Sequence, residues 1–185
     1  MFDKTVTVFN KYVNQKDEIY WYPTVISGCQ FVDDKAANVA KTGLENADEA
    51  NLHIRYTNKK AGTVAETYWN DTNGHNIFDI DGKAIELIAD IGKTVYKKTV
   101  SGKVYVPPKE WKAQTNDKLA ETVTFSDGDF FIKGEYSEEI VKDSDYATRV
   151  GGGFYDYLNK KRDNVFLITS VGTYTLIPHF EIGGK

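Results

Sequence analysis

The sequence predicts a mainly β fold, a small antiparallel β-barrel or sandwich with long loops and an inserted β-rich segment. Three observations predict it. Aromatics make up 14% of the 185 residues, with 12 Tyr and 10 Phe against one Met, and together with Val, Ile and Thr they favour strands, where bulky side chains pack on a pleated surface. Short β-rich runs recur between turn dipeptides such as Asn73-Gly74, Asp81-Gly82, Ser101-Gly102 and Asp127-Gly128, the spacing of a many-stranded domain. The 41% of hydrophobic residues suffices for a core, and the length fits one domain over residues 1–185.

The elements follow in order. Thr5-Val6-Thr7-Val8-Phe9-Asn10-Lys11-Tyr12 is partly alternating, and Glu18-Ile19-Tyr20-Trp21-Tyr22 follows a polar turn at Asn14-Gln15-Lys16-Asp17, so the two read as a hairpin. Pro23 cannot donate to a ladder and belongs at an edge or bulge. Thr24-Val25-Ile26 and Cys29-Gln30-Phe31-Val32 continue the run across Gly28. Residues 33–50 read as a polar loop. In Asn51-Leu52-His53-Ile54-Arg55-Tyr56, the residues Leu52, Ile54 and Tyr56 share one strand face and His53 and Arg55 the other.

Residues 59–103 read as an insertion. Within it Tyr68-Trp69 and Ile77-Phe78 flank the Asn73-Gly74 turn, and Thr94-Val95-Tyr96 pairs with Lys103-Val104-Tyr105-Val106 across Ser101-Gly102. Residues 84–89 fit a strand or a short helix equally. Pro107-Pro108 ends the strand and starts a helical turn through Trp111. Glu121-Thr122-Val123-Thr124-Phe125 and Asp129-Phe130-Phe131-Ile132-Lys133 are strands about the Asp127-Gly128 turn. Residues 137–163 form a polar loop in which Gly151-Gly152-Gly153 acts as a hinge and residues 155–160 form a helical turn. Val165-Phe166-Leu167-Ile168-Thr169-Ser170-Val171, the most apolar run, is the central strand, and the last strand covers Thr173 to Ile177.

Charge and chemistry exclude several functions. Net charge is -4 and the longest basic run is Lys160-Lys161-Arg162, which lacks the clustered cations of non-specific nucleic-acid binding. Met1 precedes Phe2-Asp3-Lys4 rather than an apolar stretch, so no secretory signal is expected, and no run approaches the roughly 20 apolar residues of a membrane span. Cys29 is the single cysteine, expected as a small buried hydrophobe. No Ser or Cys stands in a pattern with an oriented base, and no catalytic residue is expected. His53, His75 and His179 are not at metal-ligand spacing, so neither metal nor cofactor is expected. Asp79-Ile80-Asp81-Gly82 has the start of a calcium loop, but Asp90 stands where the distal Glu is required. Tyr20-Trp21-Tyr22 suits an interface hot spot or, with Trp69, a sugar-stacking platform, and equally an ordinary core.

The order of segments adds a resemblance. Thr5 to Tyr12, Trp21, Ile26-Ser27-Gly28-Cys29, Lys41-Thr42-Gly43-Leu44, Ile54-Arg55-Tyr56, Tyr105 to Trp111, Asp127-Gly128-Asp129-Phe130, Ile168-Thr169-Ser170-Val171 and Pro178-His179-Phe180-Glu181-Ile182-Gly183-Gly184-Lys185 form a series. It resembles minor capsid proteins from the structural gene block of tailed phages and prophages of Gram-positive bacteria. The layout is also similar to head-tail connector proteins of the stopper type. The resemblance implies a virion protein, made in the host cytoplasm, that assembles as a homo-oligomeric ring of β-barrels in the neck. Portal, adaptor and tail proteins are the implied partners, and DNA passes through without sequence-specific binding. The resemblance carries no catalytic residues. Interface candidates are Tyr20, Trp21, Tyr22, Trp111, His179 and Phe180. The alternatives are a carbohydrate-binding or other non-catalytic β-module, or another minor capsid or tail component.

Overall fold

The computed structural model describes residues 2–34, 49–63, 69–70, 76–77, 94–149 and 151–185. The expected residues 84–89 element, the Asp79–Asp81 calcium reading and His75 lie outside them. The chain divides into two compact units, Met1–Thr57 with Val100–Lys185, and Asn58–Thr99.

In the larger unit, β1 (Lys4–Val13) and β2 (Ile19–Asp34) form the expected hairpin. The tight turn puts Asp17 at φ 58. β3 is Glu49–Arg55, β10 Phe130–Lys133, β11 Val141–Lys142, β12 Val165–Tyr174 and β13 His179–Gly184. All their pairings are antiparallel, and the order β1-β10-β12-β13-β3-β2-β1 returns on itself, so the large sheet is nearly ringed. The protein is mainly β, as the sequence predicts.

One strand serves two neighbours to achieve this. β2 pairs with β1 through residues 19–29 and with β3 through residues 30–34. Its register shifts where Lys4 faces Cys29 but Val6 faces Ile26. Gly28 sits there at φ 69, a left-handed conformation that costs a residue with a Cβ, and the bulge redirects the strand. Pro23 faces Phe9 of β1 in a stretch of β2 that no other named strand pairs, so its missing N–H breaks no ladder.

Alternation assigns the two faces of β1, β10 and the start of β12 to different cores, whereas β3 and β13 bury one face only. Val6, Val8, Phe131, Phe166, Ile168, Leu52, Ile54, Phe180 and Ile182 meet in one cluster. Phe9, Trp21, Phe130, Ile132 and Val165 point the other way, onto Phe154 and Leu158. The latter two belong to a helix, Phe154–Lys161, which extends the helical turn that the sequence predicts over residues 155–160.

The other helices, α1 (Pro108–Lys112) and α2 (Asn116–Glu121), bring Trp111 and Leu119 onto Tyr22; the Phe154–Lys161 helix is α3. Between β7 (Thr94–Val100) and β8 (Lys103–Tyr105), Ser101 and Gly102 take positive φ, the turn expected there. β8 pairs in parallel with β9 (Thr122–Val123), Val104 facing Thr122.

In the smaller unit β4 (Thr57–Thr63) lies beside β7. β5 (Trp69–Asn70) pairs with β6 (Asn76–Ile77), Trp69 facing Ile77, in the register of the hairpin expected around Asn73-Gly74.

Two glycine-rich segments are built differently from the sequence expectation. Gly151-Gly152-Gly153 reads as a hinge, but a Cβ on Gly153 would lie 2.1 Å from the Asp143 carboxylate. That carboxylate accepts hydrogen bonds from the Phe154 backbone N–H (2.9 Å) and the Trp21 indole N–H (2.7 Å), so the glycine makes room for a fixed capping group at the start of α3. Gly183 and Gly184, beyond the last strand expected at Thr173 to Ile177, are ladder residues of β13. A Cβ on Gly184 would meet the Phe131 ring at 2.8 Å and Phe166 Cβ at 2.9 Å.

Candidate functional site

The interface candidates divide by burial. Trp21 is 4% exposed, Tyr22 5%, and Trp111 and Phe180 0%. These four are corrected to core residues: α3 covers Trp21, α1 and α2 cover Tyr22 with Trp111 of α1 as part of that cover, and Phe180 points into the cluster enclosed by the strands themselves. Trp21 packs edge-on against Phe130 at 4.8 Å, Trp111 against Tyr22 at 5.7 Å, and Phe180 lies 5.1 Å from Tyr56. Burial of Trp21 also removes it from a sugar-stacking platform. Tyr20 remains half-buried, its hydroxyl donating to Glu18 at 3.2 Å. His179 remains half-buried on the outer face of β13.

His179 lies beside the most apolar exposed feature among the described residues. The turn at residues 175–178 between β12 and β13 presents Leu176, 97% exposed, and Ile177, 69% exposed, next to Tyr174 at 49%. This tip is held in place. The Tyr56 hydroxyl donates to the Tyr174 carbonyl at 2.9 Å, the Tyr56 N–H donates to the Pro178 carbonyl at 3.3 Å, and His179 Nδ1 bonds the Ile177 carbonyl at 2.7 Å. Sequence reading missed Leu176 and Ile177 by placing them at the end of a strand, where they would be paired and covered.

The same pairing assembles three ligating side chains. His179 and Glu181 are two residues apart on β13 and share its outer face, and Glu181 faces His53 of β3. The His53 and His179 rings stack at 5.5 Å. One ligand atom from each of His53, His179 and Glu181 lies within 4.8 Å of the other two. Spacing along the chain expects no such cluster; the antiparallel register of β3 on β13 creates it.

Two other chemically distinctive groups are enclosed. Cys29 is fully buried, and loss of water pushes its thiol up to about 12, so it behaves as the inert apolar group expected from sequence. Asp129 is 1% exposed. Burial pushes its carboxyl up to about 7, against three N–H donors: Lys11 N at 2.8 Å, Asn10 Nδ2 at 2.9 Å and Ser126 N at 3.0 Å. Asn10 Nδ2 also donates to the Thr124 carbonyl at 2.7 Å. This network ties β1 to the segment between β9 and β10.

Fold and site define a mainly β protein with a rigid apolar hairpin tip beside a histidine–carboxylate cluster. The chain belongs to a family of unknown function, DUF6751, which it matches over residues 1–86 and 64–185. No curated protein and no solved structure matches it.

Proposed function

We propose that this chain is a structural virion protein of a tailed phage, a non-catalytic neck or head-tail connector subunit that assembles in a ring between portal and tail. The observation that carries this reading is the β12–β13 tip. Leu176 is 97% exposed and Ile177 69%, and apolar side chains fixed at the end of a hairpin suit a protein–protein contact better than solvent. Three backbone carbonyls of the tip are already hydrogen-bonded, so docking costs little ordering entropy. The segment series resembling connector proteins supports the same reading, as does a nearly ringed β-sheet. Asp129 and Cys29, whose pKa values are raised furthest, are 1% and 0% exposed, placed to build the fold rather than to meet a substrate.

The test is mass by light scattering, for the chain alone and mixed with the portal and tail proteins of the phage or prophage that carries its gene. A ring-sized complex that forms with those partners, and that Leu176→Asp with Ile177→Asp abolishes while the variant stays folded, is the expected result. A chain that ignores both partners sinks the proposal.

A further inference from the structure

We propose that His53, His179 and Glu181 form a binding site for a divalent transition-metal ion of the zinc class on the outer face of β3 and β13. The donor set selects the ion. Two imidazoles and one carboxylate suit zinc and its transition-metal neighbours, whereas calcium and magnesium prefer oxygen ligands throughout.

The geometry is close to what such an ion needs. Ligands about 2.0–2.1 Å from a tetrahedral zinc stand roughly 3.4 Å apart, and the three ligand atoms here lie within 4.8 Å of one another. Half-exposed side chains on a rigid ladder close that gap by small χ rotations. The register fixes the backbone beneath them, with Glu181 opposite His53 and His179 opposite Arg55.

The surroundings of each group are those of a ligand. His179 Nδ1 bonds the Ile177 carbonyl at 2.7 Å. A carbonyl accepts only from a protonated nitrogen, so in the neutral ring the lone pair sits on Nε2, and a backbone carbonyl on the distal nitrogen is the usual support of a metal-bound imidazole. Tyr174 stacks on the His179 ring at 4.9 Å and 10°, and His53 stacks at 5.5 Å, so the ring is held on both sides. Among the described residues the Glu181 carboxylate has no hydrogen-bond or ion-pair partner. Arg55, opposite His179 on β3, lies over the Phe2 ring at 3.8 Å rather than on Glu181. Three protein ligands leave a fourth tetrahedral position for water.

The experiment is calorimetric titration of the chelator-treated full chain with zinc chloride, alongside the visible spectrum of the cobalt(II) form. One ion per chain is expected, with magnesium and calcium failing to compete. His53→Ala, His179→Ala and Glu181→Gln should each weaken binding by more than about 100-fold, beyond the roughly 10–100-fold effect of outer-shell changes. Glu181→Gln keeps the shape of the side chain, so its loss of binding with an unchanged melting temperature separates ligation from folding. The proposal is overturned if the parent takes up no zinc at high micromolar concentration, if magnesium or calcium binds as tightly, or if the three variants bind zinc like the parent.

Discussion

Asp129 makes the stability of this fold depend on pH in a direction opposite to that of most carboxylates. Its carboxyl is raised to about 7 from an ordinary 3.8, burial being the largest cause. A group with a raised native pKa keeps its proton longer in the folded state, so its contribution is fully present below about pH 3.8 and is lost as pH rises through 7. In that window stability should fall by roughly 1 to 2 kcal/mol per pH unit, about 4 kcal/mol in all. Glu18 acts in the opposite sense but elsewhere. The Lys142 ammonium at 2.7 Å holds its carboxyl down at about 2, so its contribution is lost as pH falls below 4.5 and leaves the higher window to Asp129. Urea denaturation at half-unit steps from pH 4.5 to 7.5 is the assay. The midpoint should decline steadily for the parent. For Asp129→Asn, which cannot ionise, the midpoint should be flat, at a cost of about 1–3 kcal/mol for donors left without an acceptor. A parent midpoint that is level or rising across this range would refute the reasoning, because it would mean that the three N–H donors outweigh burial and keep the carboxylate ionised throughout.

Two further outcomes follow from packing. Gly184→Ala should destabilise the fold by about 1–3 kcal/mol, since its Cβ meets Phe131 and Phe166; a thermal melt within error of the parent would show that β13 can shift away. Trp111→Ala should cost about 3–5 kcal/mol in chemical denaturation while leaving partner binding intact. Trp111→Phe should cost far less, since among the described residues the indole Nε1 has no hydrogen-bond partner to lose.

The sequence was most legible where one strand face is apolar and the other polar. Leu52, Ile54 and Tyr56 are buried, with His53 half-buried and Arg55 exposed, as alternation predicts. It was least legible where both faces are covered. Trp21 reads equally as an interface or a core aromatic until α3 and Phe130 enclose it, and short helices such as Phe154–Lys161 carry too weak a period to announce that they cover a sheet. The histidine cluster was invisible for a different reason. Its members lie on strands far apart in sequence, and only the pairing of β3 with β13 converts two isolated histidines into neighbours. Asp129 was visible as part of an Asp-Gly-Asp turn, but nothing in the turn signalled that its second carboxylate points inward.

The double burial of β1 and β10 has a consequence for how the chain finds its alignment. In a sheet with one wet face, slipping by one residue exposes the apolar set and is rejected at once. Here Val8 and Phe9, or Phe131 and Phe130, would merely exchange one greasy environment for another. Hydrophobicity is therefore a poor judge of alignment in this part of the molecule. The discriminating groups are the few polar ones: Thr7, whose hydroxyl donates to the Gly134 carbonyl at 2.9 Å and accepts from Tyr136 N at 3.0 Å, and Asn10 with Asp129. A slipped β1 would strand all of them without partners in a dry interior, at roughly 1–3 kcal/mol each. These side chains act as a proofreading device for strand alignment, and replacing them with apolar isosteres should yield a chain that still collapses but settles into more than one pairing.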